Sequence, residues 1–170
     1  MNIDEAYEYA AILHGHKCPG LAIGVRAAEE AKRILGIDNI QDKGLYCVAE
    51  NSACYLDGIQ ALIGCTAGKG NLIMHPTGKT AFSFYHTNAG KSVRMVMKSL
   101  PNVGDKSAQT DFILHAPLDE VFSLGETRFV IPPRTPKTGN VPCSVCGESV
   151  DENYIRIIDG KPVCTDCEDK

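Results

Sequence analysis

The chain has 170 residues, enough for one core and a small appendage. Its 44% hydrophobic and 22% charged residues are an ordinary globular composition that excludes disorder, and no run approaches the roughly 20 apolar residues of a membrane span. A formal charge of −4, no Trp and 6% aromatics argue against a basic or base-stacking nucleic-acid surface.

The N-terminus, "MNIDEAYEYA", is acidic and lacks the basic and apolar regions of a signal peptide, so a cytoplasmic protein is expected. Residues 4–13 read as a helix: Asp4 can cap it, and Ala6, Tyr7, Ala10 and Ala11 recur at helical spacing. The turn "HGHKCPG" follows, and Pro19 suits the first turn of a second helix through "LAIGVRAAEEAKRIL", with Gly36 as its left-handed cap. "LYCVAE" (45–50) reads as a short strand, and "SACYLDGIQALIG" (52–64) as a third helix with Ser52 as cap and Gly64 as stop. "NLIM" and "AFSFY" read as strands separated by the turn residues "HPTGK". "TNAGK" then turns a hairpin whose return strand is "SVRMVMK". Residues 105–123 read as helix broken at Pro117, and "TRFVI" as a last strand. This order gives an α+β core, 1–131, with a mixed sheet. "PPRTPKTGNVP" (132–142) holds four of the nine prolines and reads as a stiff linker to a small domain, 143–170.

Eight cysteines are many for a cytoplasmic chain, where thiols more often bind metal than form disulfides. "CSVC" and "CTDC" frame a 17-residue insert. Each Cys-x-x-Cys lets two thiolates meet one tetrahedral ion, so Cys143, Cys146, Cys164 and Cys167 are expected to form a closed structural zinc site. So small a segment cannot build a core alone, and metal binding would supply its folding energy. "YIRIIDGKPV" reads as a strand, a tight turn and a return. Lys161 and Arg156 sit among Asp151, Glu152, Asp159, Asp166, Glu168 and Asp169, so this knob suits protein contact or dimer stabilisation better than nucleic acid.

In "HGHKCPG", His16 and Cys18 can point at one ion, and imidazole with thiolate favours zinc or a related transition metal. Cys54 is the expected third ligand, because the first turn of its helix favours thiolate. Cys65, roughly 16 Å away along that helix, cannot share the ion. His14 is either a fourth ligand or a base that serves the site. The alternative is a helix-starting turn with polar decoration. Cys47 reads as core, and His75, His86 and His115 receive no role. "GCTAGKGNL" (64–72) departs from a phosphate-binding P-loop: Gly64 to Gly68 is one residue short, and Gly70 replaces the metal-binding hydroxyl. Its glycines and Lys69 suit either a small anionic substrate or a tight helix-to-strand turn.

Together, "HGHKCPGLAIGVRAA", "CYLDGIQALIGCTAGKGNL" and "FSFYHTNAGKSVRM" resemble the FmdE family, named for a formylmethanofuran dehydrogenase gene. The resemblance covers about residues 10–97, and the terminal cysteines match its two-domain members. It implies a thioredoxin-like α+β core, a treble-clef or ribbon zinc domain, a homodimer, and a metal-binding active site on His16, Cys18 and Cys54 with His14 nearby. The expected function is a metal-dependent enzyme or an accessory factor of a molybdenum or tungsten formylmethanofuran dehydrogenase system, with His14 relaying a proton and Lys69 steering an anion. The alternative is a non-catalytic metal or sulfur carrier that docks through its zinc finger. A thiol redox role is disfavoured because the core has no Cys-x-x-Cys.

Overall fold

In the computed structural model, which describes residues 1–133 and 138–169, the first helix α1 spans Ile3–His14. Its cap is Asn2 rather than the expected Asp4. Asn2 Oδ1 accepts the Glu5 amide at 2.9 Å, and Glu5 Oε2 accepts the Asn2 amide at 2.9 Å, a reciprocal capping box. The second helix, α2 (Pro19–Leu35), starts at the proline and closes on Gly36 at φ 66°, as expected. α3 (Tyr55–Ile63) starts later than expected. Ser52 does not cap it; the Asn51 side chain takes the Ser52 amide at 2.8 Å, and α3 has no side-chain cap.

The five-stranded sheet has the order β2-β1-β3-β4-β5, formed by β1 (Leu45–Ala49), β2 (Leu72–Met74), β3 (Ala81–His86), β4 (Lys91–Met97) and β5 (Phe122–Gly125). β1 and β2 are parallel, joined through α3, and the other neighbours are antiparallel. The strands on either side of "HPTGK" therefore do not pair with each other, because β1 lies between them. "TRFVI" is not a strand; the last strand of the core is Phe122–Gly125. Helices α4 (Lys106–His115) and α5 (Leu118–Val121) precede it, separated at Pro117 as expected.

Alternation puts Leu45, Cys47, Ala49, Phe82, Phe84, Val93 and Met95 on one face of the sheet, in one buried cluster with the apolar stripes of α1, α2 and α3. α2 is the central helix. Arg26 Nη2 donates to the Ala116 carbonyl at 3.0 Å, and its Nη1 to that of Leu114, holding the end of α4. Two glycines let α2 and α3 touch backbone to backbone. A Cβ at Gly24 would lie 1.9 Å from the Tyr55 carbonyl oxygen, and one at Gly58 2.7 Å from the Val25 nitrogen.

The chain divides into two units, Met1–Ile131 and Pro132–Lys170. Part of the proline-rich stretch, residues 134–137, lies outside the described residues. Its end, Asn140–Pro142 (β6), pairs with β7 (Ser149–Asp151). β8 (Ile155–Ile158) and β9 (Lys161–Cys164) form the expected hairpin, turning at Asp159 and Gly160 with φ of 50° and 73°. The first unit is thus a mixed α+β sheet covered by helices, and the second is built around its cysteines.

Candidate metal centre

Three elements converge on the first cluster. His14 is the last residue of α1, His16 follows the left-handed Gly15, and Cys18 immediately precedes α2. Donor atoms of His14, His16 and Cys18 all lie within 4.8 Å of one another. His14 Nε2 is 3.7 Å from Cys18 Sγ, against about 3.6 Å between nitrogen and sulfur ligands of a tetrahedral zinc. The donor set and its spacing fit a borderline-soft dication.

His14 is fixed by a residue that the sequence did not single out. Its Nδ1 lies 2.7 Å from Asp57 Oδ2, so the ring donates there and turns the Nε2 lone pair toward Cys18. A carboxylate behind an imidazole is the usual support of a metal-bound histidine. The signal was the spacing of Cys54 and Asp57, three residues apart on one helix face. This arrangement leaves the Nε2 lone pair free toward Cys18, as either a ligand or a base requires.

Cys54 stands beside Cys18 but outside the mutual trio. A Cβ at Gly20 would lie 3.1 Å from Cys54 Cβ, a tight contact, and within ordinary van der Waals distance of Cys54 Sγ at 3.6 Å and Cys18 Sγ at 3.8 Å, so Gly20 packs directly against both cysteines. The helix-start expectation for Cys54 is reversed: burial and the adjacent Cys18 thiol push its pKa up. The helix amide goes instead to Cys18, whose Sγ accepts the Leu21 N–H at 3.3 Å.

Lys69 is not brought to this cluster. It follows the far end of α3, where its Nζ donates to the Gly64 carbonyl at 3.2 Å. The "GCTAGKGNL" loop is the tight helix-to-strand turn, pinned by buried Asn71, which donates to the Leu45 and Gly64 carbonyls and accepts the Thr66 amide. Cys47 and Cys65 are buried, with burial holding the Cys65 pKa up to about 12, so both behave as core thiols.

Beside Cys18 opens a cavity of about 450 Å³, lined also by Tyr7, Lys17, Lys106, Thr110 and His115. Tyr7 donates its hydroxyl to the Cys18 carbonyl at 3.1 Å, fixing the backbone between cavity and cluster. Lys17 is paired with Glu8, and His115 with Asp4 and Asp111.

In the second unit, sulfurs of Cys143, Cys146, Cys164 and Cys167 lie within 4.8 Å of one another. Amide hydrogen bonds from Cys146, Cys164 and Val145 lower the Cys143 thiol to about 6. Amides aimed at the Cys143 sulfur stabilise its thiolate, the form that ligates, while burial and the neighbouring thiols raise Cys167 to about 12; four cysteine sulfurs suit a closed tetrahedral site.

Comparison with known proteins agrees with both regions. The family model described as "FmdE, Molybdenum formylmethanofuran dehydrogenase operon" matches residues 13–123, and the prokaryotic dksA/traR C4-type zinc finger matches residues 136–170. A solved FmdE-like protein of tungsten formylmethanofuran dehydrogenase type, from Syntrophus aciditrophicus, superposes with a TM-score of 0.71 at 23% identity, over 98% of this chain and 91% of that one, which establishes a shared fold. A probable S-adenosyl-L-methionine-binding protein of Archaeoglobus fulgidus is 34% identical over 90 residues, 51% of this chain. The chain covers only 25% of that relative's length.

Proposed function

The chain belongs to the FmdE family, and on that premise we propose that it is a metal-dependent protein whose reactive centre is the His14, His16, Cys18 cluster with Cys54 beside it. The observation that carries this reading is the Asp57–His14–Cys18 arrangement, 2.7 Å on one side of the imidazole and 3.7 Å on the other. Zinc or a related transition metal there would supply Lewis acidity at a position left to water or substrate. The chain's own residues do the rest: Asp57 fixes the His14 tautomer, Gly20 leaves room for the Cys54 side chain, and the 450 Å³ cavity beside Cys18 receives the substrate. This reading moves His14 from proton relay to ligand and removes Lys69 from the reaction. The βαβ unit followed by an antiparallel hairpin supports the thioredoxin-like description of the core.

In this reading the protein serves a molybdenum or tungsten formylmethanofuran dehydrogenase-type system, as enzyme or accessory factor. Docking through the zinc finger is supported by its exposed Val145, Tyr154 and Ile157. A homodimer is supported by the exposed apolar residues Tyr9, Ile12 and Leu13 of α1. A second reading, a metal or sulfur carrier without catalysis, is favoured by the exposure of His16, which leaves one ligand open to exchange.

Metal analysis of Cys18→Ser tests the site: one of two metal equivalents is lost and the other kept. Full metal content in the variant refutes a core centre. Rapid exchange of the core metal with a chelator in wild type, with the finger's metal retained, separates the carrier from the enzyme.

A further inference from the structure

The face of the sheet turned away from the helices carries a second polar site that the metal chemistry does not use. Val48, Ser83 and Arg94 stand opposite one another in a row across β1, β3 and β4, and Gly125 ends the row on β5. Beyond Gly125 the chain turns back over this face. The Tyr85 hydroxyl donates to the Phe129 carbonyl at 2.6 Å, and the hydroxyls of Ser92 and Thr127 are 3.0 Å apart, so residues 126–130 form a strap fixed at two points. Row and strap line a cavity of about 350 Å³, within the range of small-molecule sites.

Its charges are unbalanced. Arg94 spends Nε and Nη2 on the Glu50 carboxylate, at 2.6 Å and 2.9 Å, and Thr77 also donates to Glu50 at 2.9 Å. That carboxylate is fully engaged and cancels one positive charge. Arg94 Nη1 and Arg128 then remain without a hydrogen-bond or ion-pair partner among the described residues, and Lys79 acts on Glu50 only through space; all three residues line the cavity. Ser83, only 3% exposed, likewise offers a hydroxyl with no partner among the described residues. Two uncancelled cations around one cavity are conspicuous in a chain of net charge −4. Lys79 and Arg128 are exposed, so water screens them in part, and an anion held between them and Arg94 Nη1 is attracted to all three. Val48, Phe129 and Val130 give the same cavity an apolar side, and the space is larger than a bare inorganic anion needs.

We propose that this cavity binds a small organic anion, a phosphate- or carboxylate-bearing molecule with an apolar body, through Lys79, Arg94, Arg128 and the Ser83 hydroxyl. Arg94, braced by Glu50 as a rigid planar donor, presents Nη1 to the anionic head, and Lys79 and Arg128 close over it. The apolar body rests against Val48 and Phe129. This site lies on the opposite face of the sheet from the helices that bear His14 and Cys18, and it does not depend on metal there.

Calorimetric titration of the full zinc-loaded chain with phenyl phosphate and with phenylacetate, at low ionic strength, tests the assignment. Saturable one-to-one binding of either probe is expected, weakened about tenfold or more in Lys79→Gln/Arg128→Gln. Both replaced residues are exposed, so the fold is retained. The affinity should be unchanged in Lys106→Gln, which removes a cation from the cavity beside Cys18. Preference for phenyl phosphate assigns a phosphoryl head, and preference for phenylacetate a carboxylate. Failure of both probes to saturate, equal affinity in the double variant, or loss of binding in Lys106→Gln overturns the proposal.

Discussion

The two sulfur clusters of this chain solve one problem in opposite ways. The C-terminal site draws all four donors from two local knuckles, and amides of the same knuckles bond the Cys143 sulfur. The N-terminal cluster takes His14, His16 and Cys18 from the end of α1 and the turn into α2, with Cys54 beside it before α3, so it assembles only if three helices are packed first. In the first case metal would make the fold, and in the second the fold makes a candidate metal site. The closed set has no room for substrate, whereas the mixed set is partly exposed and adjoins a cavity.

The contrast breaks most readily at the C-terminal knuckles. Cys143→Ser should unfold Pro132–Lys170 alone, because metal-linked folding energy of about 10 kcal/mol or more is withdrawn from a unit with little core of its own. Limited proteolysis beside zinc analysis checks it, and intact resistance of the tail would show that it folds without metal. Gly24→Ala attacks the other logic, driving a methyl into the Tyr55 carbonyl; a loss of about 3 kcal/mol in denaturant unfolding of the first unit is expected. Core metal affinity should fall with it while the finger keeps its metal.

Asp57→Asn is gentler: the fold should persist while affinity of the core site drops about 10- to 100-fold, measured by competition with a chromophoric chelator. An unchanged affinity would mean that Asp57 does not orient His14. The smallest effect concerns pH. The Arg94 guanidinium, aided by Thr77, holds the Glu50 carboxyl below its ordinary value despite partial burial. Its stabilisation is therefore present above the ordinary carboxylate range and lost as pH falls through the lowered value. Glu50→Gln should cost about 2 kcal/mol at neutral pH, and its denaturation midpoint should converge on the wild-type one in acid.

Legibility followed the same division. The four terminal cysteines were readable because their geometry is local, two knuckles and a 17-residue insert. α2 was readable from Pro19 to Gly36 because both ends carry their own signals. The strand "TRFVI" was misplaced because alternation alone cannot tell a paired strand from a strap bonded through Tyr85 and Ser92. His16 and Cys18 stood out as a pair, but Asp57 is brought to His14 by helix packing across 43 positions of chain. Cys54 was given the wrong electrostatics for the same reason: the burial and the Cys18 thiol that raise its pKa both come from packing of distant segments. Lys69 looked like a cation for substrate until the fold gave it a helix-end carbonyl.

The glycine contact between α2 and α3 has a consequence for how such a centre can change. Because Gly24 and Gly58 let backbone meet backbone, the interval between the starts of the two helices is set by main-chain atoms rather than by side-chain volume. Donors at positions 18 and 54 can then be exchanged, thiol for imidazole or carboxylate, without altering the gap that they face. The frame is a socket of fixed bore, and any metal preference of the proposed centre would be a property of the inserts.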